Sequence, residues 1–260
     1  MQPVASSNCD CMHATHALGV PRTRFCEHFA ALSFPNLQSL AVERYPCPIA
    51  NLLRSVPAAQ ITSLSVSGTS HSLESLDVQS FPNLVDCSIT VCVDQARAAP
   101  VSIFEDPEQS EQVVNASRIL SAALRGPSLL RTLHLAVSRA TESVPLNVEH
   151  VGSKCLQTLT LAFAVTFASL APIMQSSPRL RRLSVDSVTG SFAPAHCSAS
   201  IEELEVCATG EMGVREFAAL GSLTACLPSL VRLVVDDEPA CRRLAHVSRS
   251  GIDVISGSSR

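Results

Sequence analysis

The sequence predicts an α/β solenoid, with a parallel sheet on one side and short helices and loops on the other. Three observations predict it. A motif of the form apolar-x-x-apolar-x-apolar recurs along most of the 260 residues. Its recurrences are spaced as strand-and-return units are. The segments between them carry helix start and stop signals. The clearest copy is Pro178-Arg-Leu180-Arg-Arg-Leu183-Ser-Val185.

Matches start at Leu37, Ile61, Leu73, Leu84, Leu130, Leu156, Leu180, Ile201 and Leu230. Their middle positions are Leu40, Leu64, Leu76, Cys87, Leu133, Leu159, Leu183, Leu204 and Leu233. Successive starts lie 24, 12, 11, 46, 26, 24, 21 and 29 residues apart. Five of these intervals fall in the range of about 20–29 residues typical of such repeats. The 12 and 11 together make one period, and the 46 reads as one oversized repeat or as two with a strand lost between them. Alternation along a strand sends the fourth and sixth motif positions to one face. That face is buried only if another strand stacks beside it, so each unit needs a return segment on the outside.

The elements follow in chain order. Met1 to about residue 24 lacks sustained periodicity and reads as a disordered or loose N-terminal segment. Cys26–Leu32 suits a short helix leading into the repeats, which we place over residues 25–238. Asn51–Val56 suits a short helical return. Asp106-Pro107-Glu108 is a helix start, with a capping Asp, Pro at the first helical position and an acid in the first turn. Val113, Ala116, Leu120 and Leu124 then share one face, and Gly126-Pro127 stops the helix. Phe167, Leu170 and Met174 mark another return helix, and Phe217, Leu220 and Leu223 a third. Pro stands two residues ahead of Leu37, Leu84, Leu180 and Leu230. It ends the preceding helix and favours an extended entry to the strand. Residues 239–260 read as a C-terminal cap or tail in which Leu244, Ile252 and Val254 cover the last repeat.

Composition narrows the functional classes. A formal net charge of −4 without a basic stripe argues against nucleic acid. The basic clusters at Arg179/Arg181/Arg182 and Arg242/Arg243 sit beside acids, as on a solvated mixed face. Eleven scattered cysteines, with no charged and then apolar leader, point to reduced thiols in a cytoplasmic or nuclear protein. Catalytic signatures are not found: there is no nucleophile elbow, phosphate-binding Gly loop, H-E-x-x-H or C-x-x-C. No cofactor is implied, and the chain reads as a non-enzyme.

The runs Phe34-Pro-Asn-Leu37-Gln-Ser-Leu40-Ala-Val42 and Phe81-Pro-Asn-Leu84-Val-Asp-Cys87-Ser-Ile89, with Pro178–Val185, resemble irregular intracellular leucine-rich repeats. The likeness is to the fungal F-box/leucine-rich-repeat type, over roughly Phe34 to Asp237. It implies a ribonuclease-inhibitor-like leucine-rich-repeat solenoid, its curved parallel sheet on the concave side and its short helices and loops on the convex side. It also implies a substrate-recognition component with protein partners, ubiquitin-ligase components among them. The family's N-terminal adaptor-binding box is not recognisable in Met1–Ser33. The ninth repeat position, usually Asn or Cys, is held here by Tyr45, Thr69, Phe81, Cys92, Ser138, Ala164, Val188, Thr209 and Glu238.

In this register the third and fifth motif positions face the concave surface. They list hydroxyls over the first two thirds: Ser39, Ser63, Ser65, Ser75, Ser88, Thr132, Thr158 and Thr160, with Ala41 among them. The charged members are Asp77, Asp86, His134, Arg182, Glu203, Glu205 and Arg232, with Ser184 and Val234 between them, and Asp186 and Asp236 follow at the seventh position. Such residues serve either to solvate a strand or to bind a protein partner, with Arg182, Glu203, Glu205 and Arg232 as the electrostatic end.

Two further readings stay open. Cys9, Cys11, His13 and His16, followed by Cys26 and His28, are zinc-type ligand residues and would suit a metal- or redox-responsive protein. Their spacing is not that of two paired C-x-x-C arms. Leu156–Met174 is the most apolar run and would suit membrane association. Its fit to the repeat register favours a buried repeat, hence no membrane.

Overall fold

A computed structural model describes residues 36–43, 48–54, 56–92, 107–125, 127–138, 153–189, 200–207, 214–236, 239, 241–242, 244 and 251–257. Nine parallel strands form one sheet whose spatial order follows the chain. They are β1 (Ser39–Glu43), β2 (Ser63–Thr69), β3 (Asp86–Cys92), β4 (Thr132–Ser138), β5 (Thr158–Thr166), β6 (Arg182–Thr189), β7 (Glu203–Val206), β8 (Arg232–Val235) and β9 (Asp253–Ser256). The α-helices with bounds among the described residues are α1 (Ile49–Leu53), α2 (Ser70–Leu73), α3 (Pro107–Leu124), α4 (Phe167–Ser176) and α5 (Val214–Ala225). Each circuit of the chain therefore adds one strand beside the last.

Register explains why the motif recurs. The pairings align Leu40, Leu64, Cys87, Leu133, Leu159, Leu183, Leu204, Leu233 and Val254 across the nine strands. Two residues on, Val42, Val66, Ile89, Leu135, Leu161, Val185, Val206 and Val235 make a second row. From β2 to β8 every member of both rows is buried, and so are the motif's first residues Ile61, Leu84, Leu130, Leu156, Leu180, Ile201 and Leu230. Full burial of one such side chain is worth about 1.5–3 kcal/mol, so stacking the rows is the main reason to wind the chain this way. Pairing begins ahead of the strands. The backbone N–H groups of Arg131, Gln157, Arg181, Glu202 and Val231 donate to the carbonyl one circuit earlier at 2.8–2.9 Å.

Helices α2 to α5 pack on the apolar side, α2 on β2, α3 on β4, α4 on β5 and α5 on β6. Ala116, Ile119, Leu120, Ala123 and Leu124 form the buried face of α3. Phe167, Leu170, Ile173 and Met174 do the same in α4. In α5 Leu220 and Leu223 are buried, and Phe217 is partly so. Two helices begin where a strand ends on Thr. Thr69 Oγ1 accepts from Ser72 N at 3.3 Å, and Thr166 Oγ1 accepts from Ser169 N at 3.2 Å. Each hydroxyl satisfies an N–H that the first turn would otherwise leave unpaired.

Several expectations are corrected. The match at Leu73 is not a strand. Leu73 closes α2, Leu76 lies in the following turn, and β2 pairs directly with β3. Both leucines are buried, because the turn after α2, in which Leu76 N donates to the Leu73 carbonyl at 2.9 Å, keeps Leu76 on the apolar side. The 46-residue interval is the one oversized repeat expected, and only its alternative of a lost strand fails, since β3 pairs directly with β4. Arg118 of α3 bonds Glu74 at 2.6 Å, and Gln79 Nε2 donates to the Arg125 carbonyl at 3.2 Å, tying this long return to the preceding one. The short return near Asn51 starts two residues earlier, at Ile49. The tail contributes the unforeseen β9, entered through Gly251 at φ 106°. The N-terminal segment, the helix at Cys26–Leu32, and the caps Asp106 and Gly126 lie outside the described residues.

Gly68 illustrates how tightly a short return folds. It sits on the apolar side of β2, two residues before α2, and a Cβ there would collide with Ser72 Oγ. Ser72 is buried, and its hydroxyl donates to the Thr69 carbonyl at 2.9 Å, so it has little room to give. Gly68→Ala is expected to cost about 1–3 kcal/mol in urea unfolding, and adding Ser72→Ala should recover part of the loss.

Candidate open-face binding surface

Parallel sheets are ordinarily covered on both faces, and their strands then read as near-continuous apolar runs. Here β2 to β7 alternate instead, with the side chains between the buried rows half-buried or exposed. The result is an open polar face opposite the helices, arranged in rows by the strand register.

The first row is Ser39, Ser63, Asp86, Thr132, Thr158, Arg182, Glu203, Arg232 and Asp253. Its hydroxyl end is interrupted by Asp86, which is exposed. Its last four members alternate in sign. Glu203 is the pivot: Arg182 Nε lies 3.1 Å from one carboxylate oxygen and Arg232 Nη1 lies 3.7 Å from the other. The Glu203 side chain is only 18% exposed, against 69% for Arg182 and 43% for Arg232. The carboxylate is thus held between two more exposed cations. Exposed pairs contribute about 0.2–1 kcal/mol each, so the row's main effect is to fix where charge sits.

The second row is Ala41, Ser65, Ser88, His134, Thr160, Ser184, Glu205, Val234 and Ile255. His134 is half-buried among hydroxyls. Val234 is fully buried despite its place in this row, so it offers no surface.

Asp186 and Asp236 follow one position beyond the paired rows and flank Cys207, whose N–H bonds the Val185 carbonyl. Burial pushes the Cys207 thiol up to about 11, and Glu205, Asp236 and Asp186 add to the effect against a hydrogen bond from Ser184. Cys207 is therefore a protonated, poorly nucleophilic thiol at neutral pH. Cys87, in the leucine row, is pushed up to about 12 by burial alone. A side chain at Gly257, just past β9, would collide with the Asp236 carboxylate, so the chain passes close to Asp236 there.

Asp186 is raised above its ordinary range by burial, an effect that attraction to His134 only partly offsets. The folded state therefore binds this proton more tightly than the unfolded chain does. The charged form opposes folding above the ordinary Asp range, and that cost disappears as the carboxyl is protonated. Asp186→Asn is expected to raise the midpoint of thermal unfolding at pH 7, with the gain closing as pH falls below 3.8, the ordinary value.

Eight of the nine residues expected to bind a partner thus lie along the open face or at its strand ends. Asp77 does not. It is exposed in the turn after α2, where Oδ1 accepts from Gln79 N at 3.0 Å and Oδ2 accepts from Ser80 Oγ at 2.7 Å. It caps a 3-10 turn, and Ser75 is also off the sheet. Asp253 was missed because β9 lacks the leucine motif. Cys207 was missed because it lies just past β7, where a cysteine carries no motif signal, although Glu205, Asp236 and Asp186 all act on its thiol.

Among the described residues, no group of three or more His, Cys, Asp or Glu side chains could hold a metal ion. Cys9, Cys11, His13 and His16 lie outside the described residues. Leu156–Met174 divides between β5 and α4, and no described helix is long and apolar enough to cross a membrane. No family model matches the chain, and no curated protein matches it either.

Proposed function

We propose that the chain is a non-catalytic protein-interaction module of the leucine-rich-repeat type, which takes its partner on the open face of the sheet. The observation that carries this reading is that face itself: a nine-stranded parallel sheet left polar on one side, where such sheets are usually covered. Regular stacking places side chains from distant parts of the sequence in straight rows, and a partner can meet many of them at once. On β6 to β9 and their ends the face carries Asp186, Glu203, Glu205, Asp236 and Asp253 against Arg182 and Arg232, five acids to two bases. That excess favours a partner surface bearing positive charge and gives an association that weakens with salt. The resemblance to F-box/leucine-rich-repeat proteins makes substrate recognition beside ubiquitin-ligase components the most specific form of this role.

The test is charge reversal of Arg182, Glu203 and Glu205 together. Binding of the partner recovered by crosslinking to the native chain should weaken by about tenfold or more, or ~1.4 kcal/mol, while the circular dichroism spectrum stays native. Unchanged affinity in a folded variant would remove this end of the face from the proposal.

A further inference from the structure

We draw no further inference here: the strongest candidate, the cluster of Asp186, Glu205 and Asp236 around Cys207 at the β6–β8 end of the open face, belongs to the surface already described, and nothing beside it in the described residues points to a ligand of its own.

Discussion

Leu183→Ala is expected to lower the free energy of unfolding by about 2–5 kcal/mol, read from urea or thermal denaturation. Leu183 is 1% exposed and stands in the leucine row between Leu159 and Leu204. Truncation removes apolar contacts to both neighbouring strands and leaves a void that neither can fill, because each is held by its own pairing. The effect should exceed that of Ser184→Ala, one residue on and facing the open side. A near-zero effect at Leu183 would mean that the rows are not the core.

Leu120→Ala should cost a similar amount, about 2–5 kcal/mol, whereas Val114→Ala on the same helix should stay within about 0.5 kcal/mol. Leu120 is fully buried and Val114 is 62% exposed. The pair tests how α3 sits in the one oversized return. A helix lying loosely over the sheet would make the two substitutions alike. A helix packed under β4 through Ala116, Leu120 and Leu124 makes them differ by several kcal/mol.

These two positions also show what could be read from the chain and what could not. Leu183 was visible because a strand stacked in register repeats the same inward spacing at every circuit, and only the apolar pattern is needed to see it. Leu120 was visible because its helix carries a period near 3.6 and is punctuated at both ends. Leu73 and Leu76 misled because a helix end followed by a tight turn buries two leucines three apart just as the opening of the strand motif does. β9 went unseen for the opposite reason. Its strand, Asp253–Ser256, pairs through backbone groups with β8 while offering Val254 in place of a leucine. Backbone pairing leaves no side-chain signature at the edge of a sheet.

The candidate site divides in the same way. Arg182, Glu203 and Arg232 could be placed on one row as soon as the register was known, since rows follow from counting. That Glu203 would bridge both arginines depended on β6, β7 and β8 being adjacent, which the equal register of their motifs implied. Asp186, Glu205 and Asp236 could be counted onto the same end of the face, but their joint effect on Cys207 could not, because the apolar motif gives no weight to a cysteine at its seventh position. Asp77 is exposed but off the open face, because its motif spans the end of α2 and the turn after it. Its carboxylate serves the local backbone instead, which short Asp side chains do readily in turns.

Carboxylate footprinting in the presence of the partner shows whether the open face is the working surface. Carbodiimide labelling of Asp186, Glu205 and Asp236 should fall when the partner is bound, while labelling of Glu74 and Asp77 in the turns after α2 stays as it was. Protection of Glu74 and Asp77 with Asp186, Glu205 and Asp236 still labelled would place the partner elsewhere on the molecule and contradict the account.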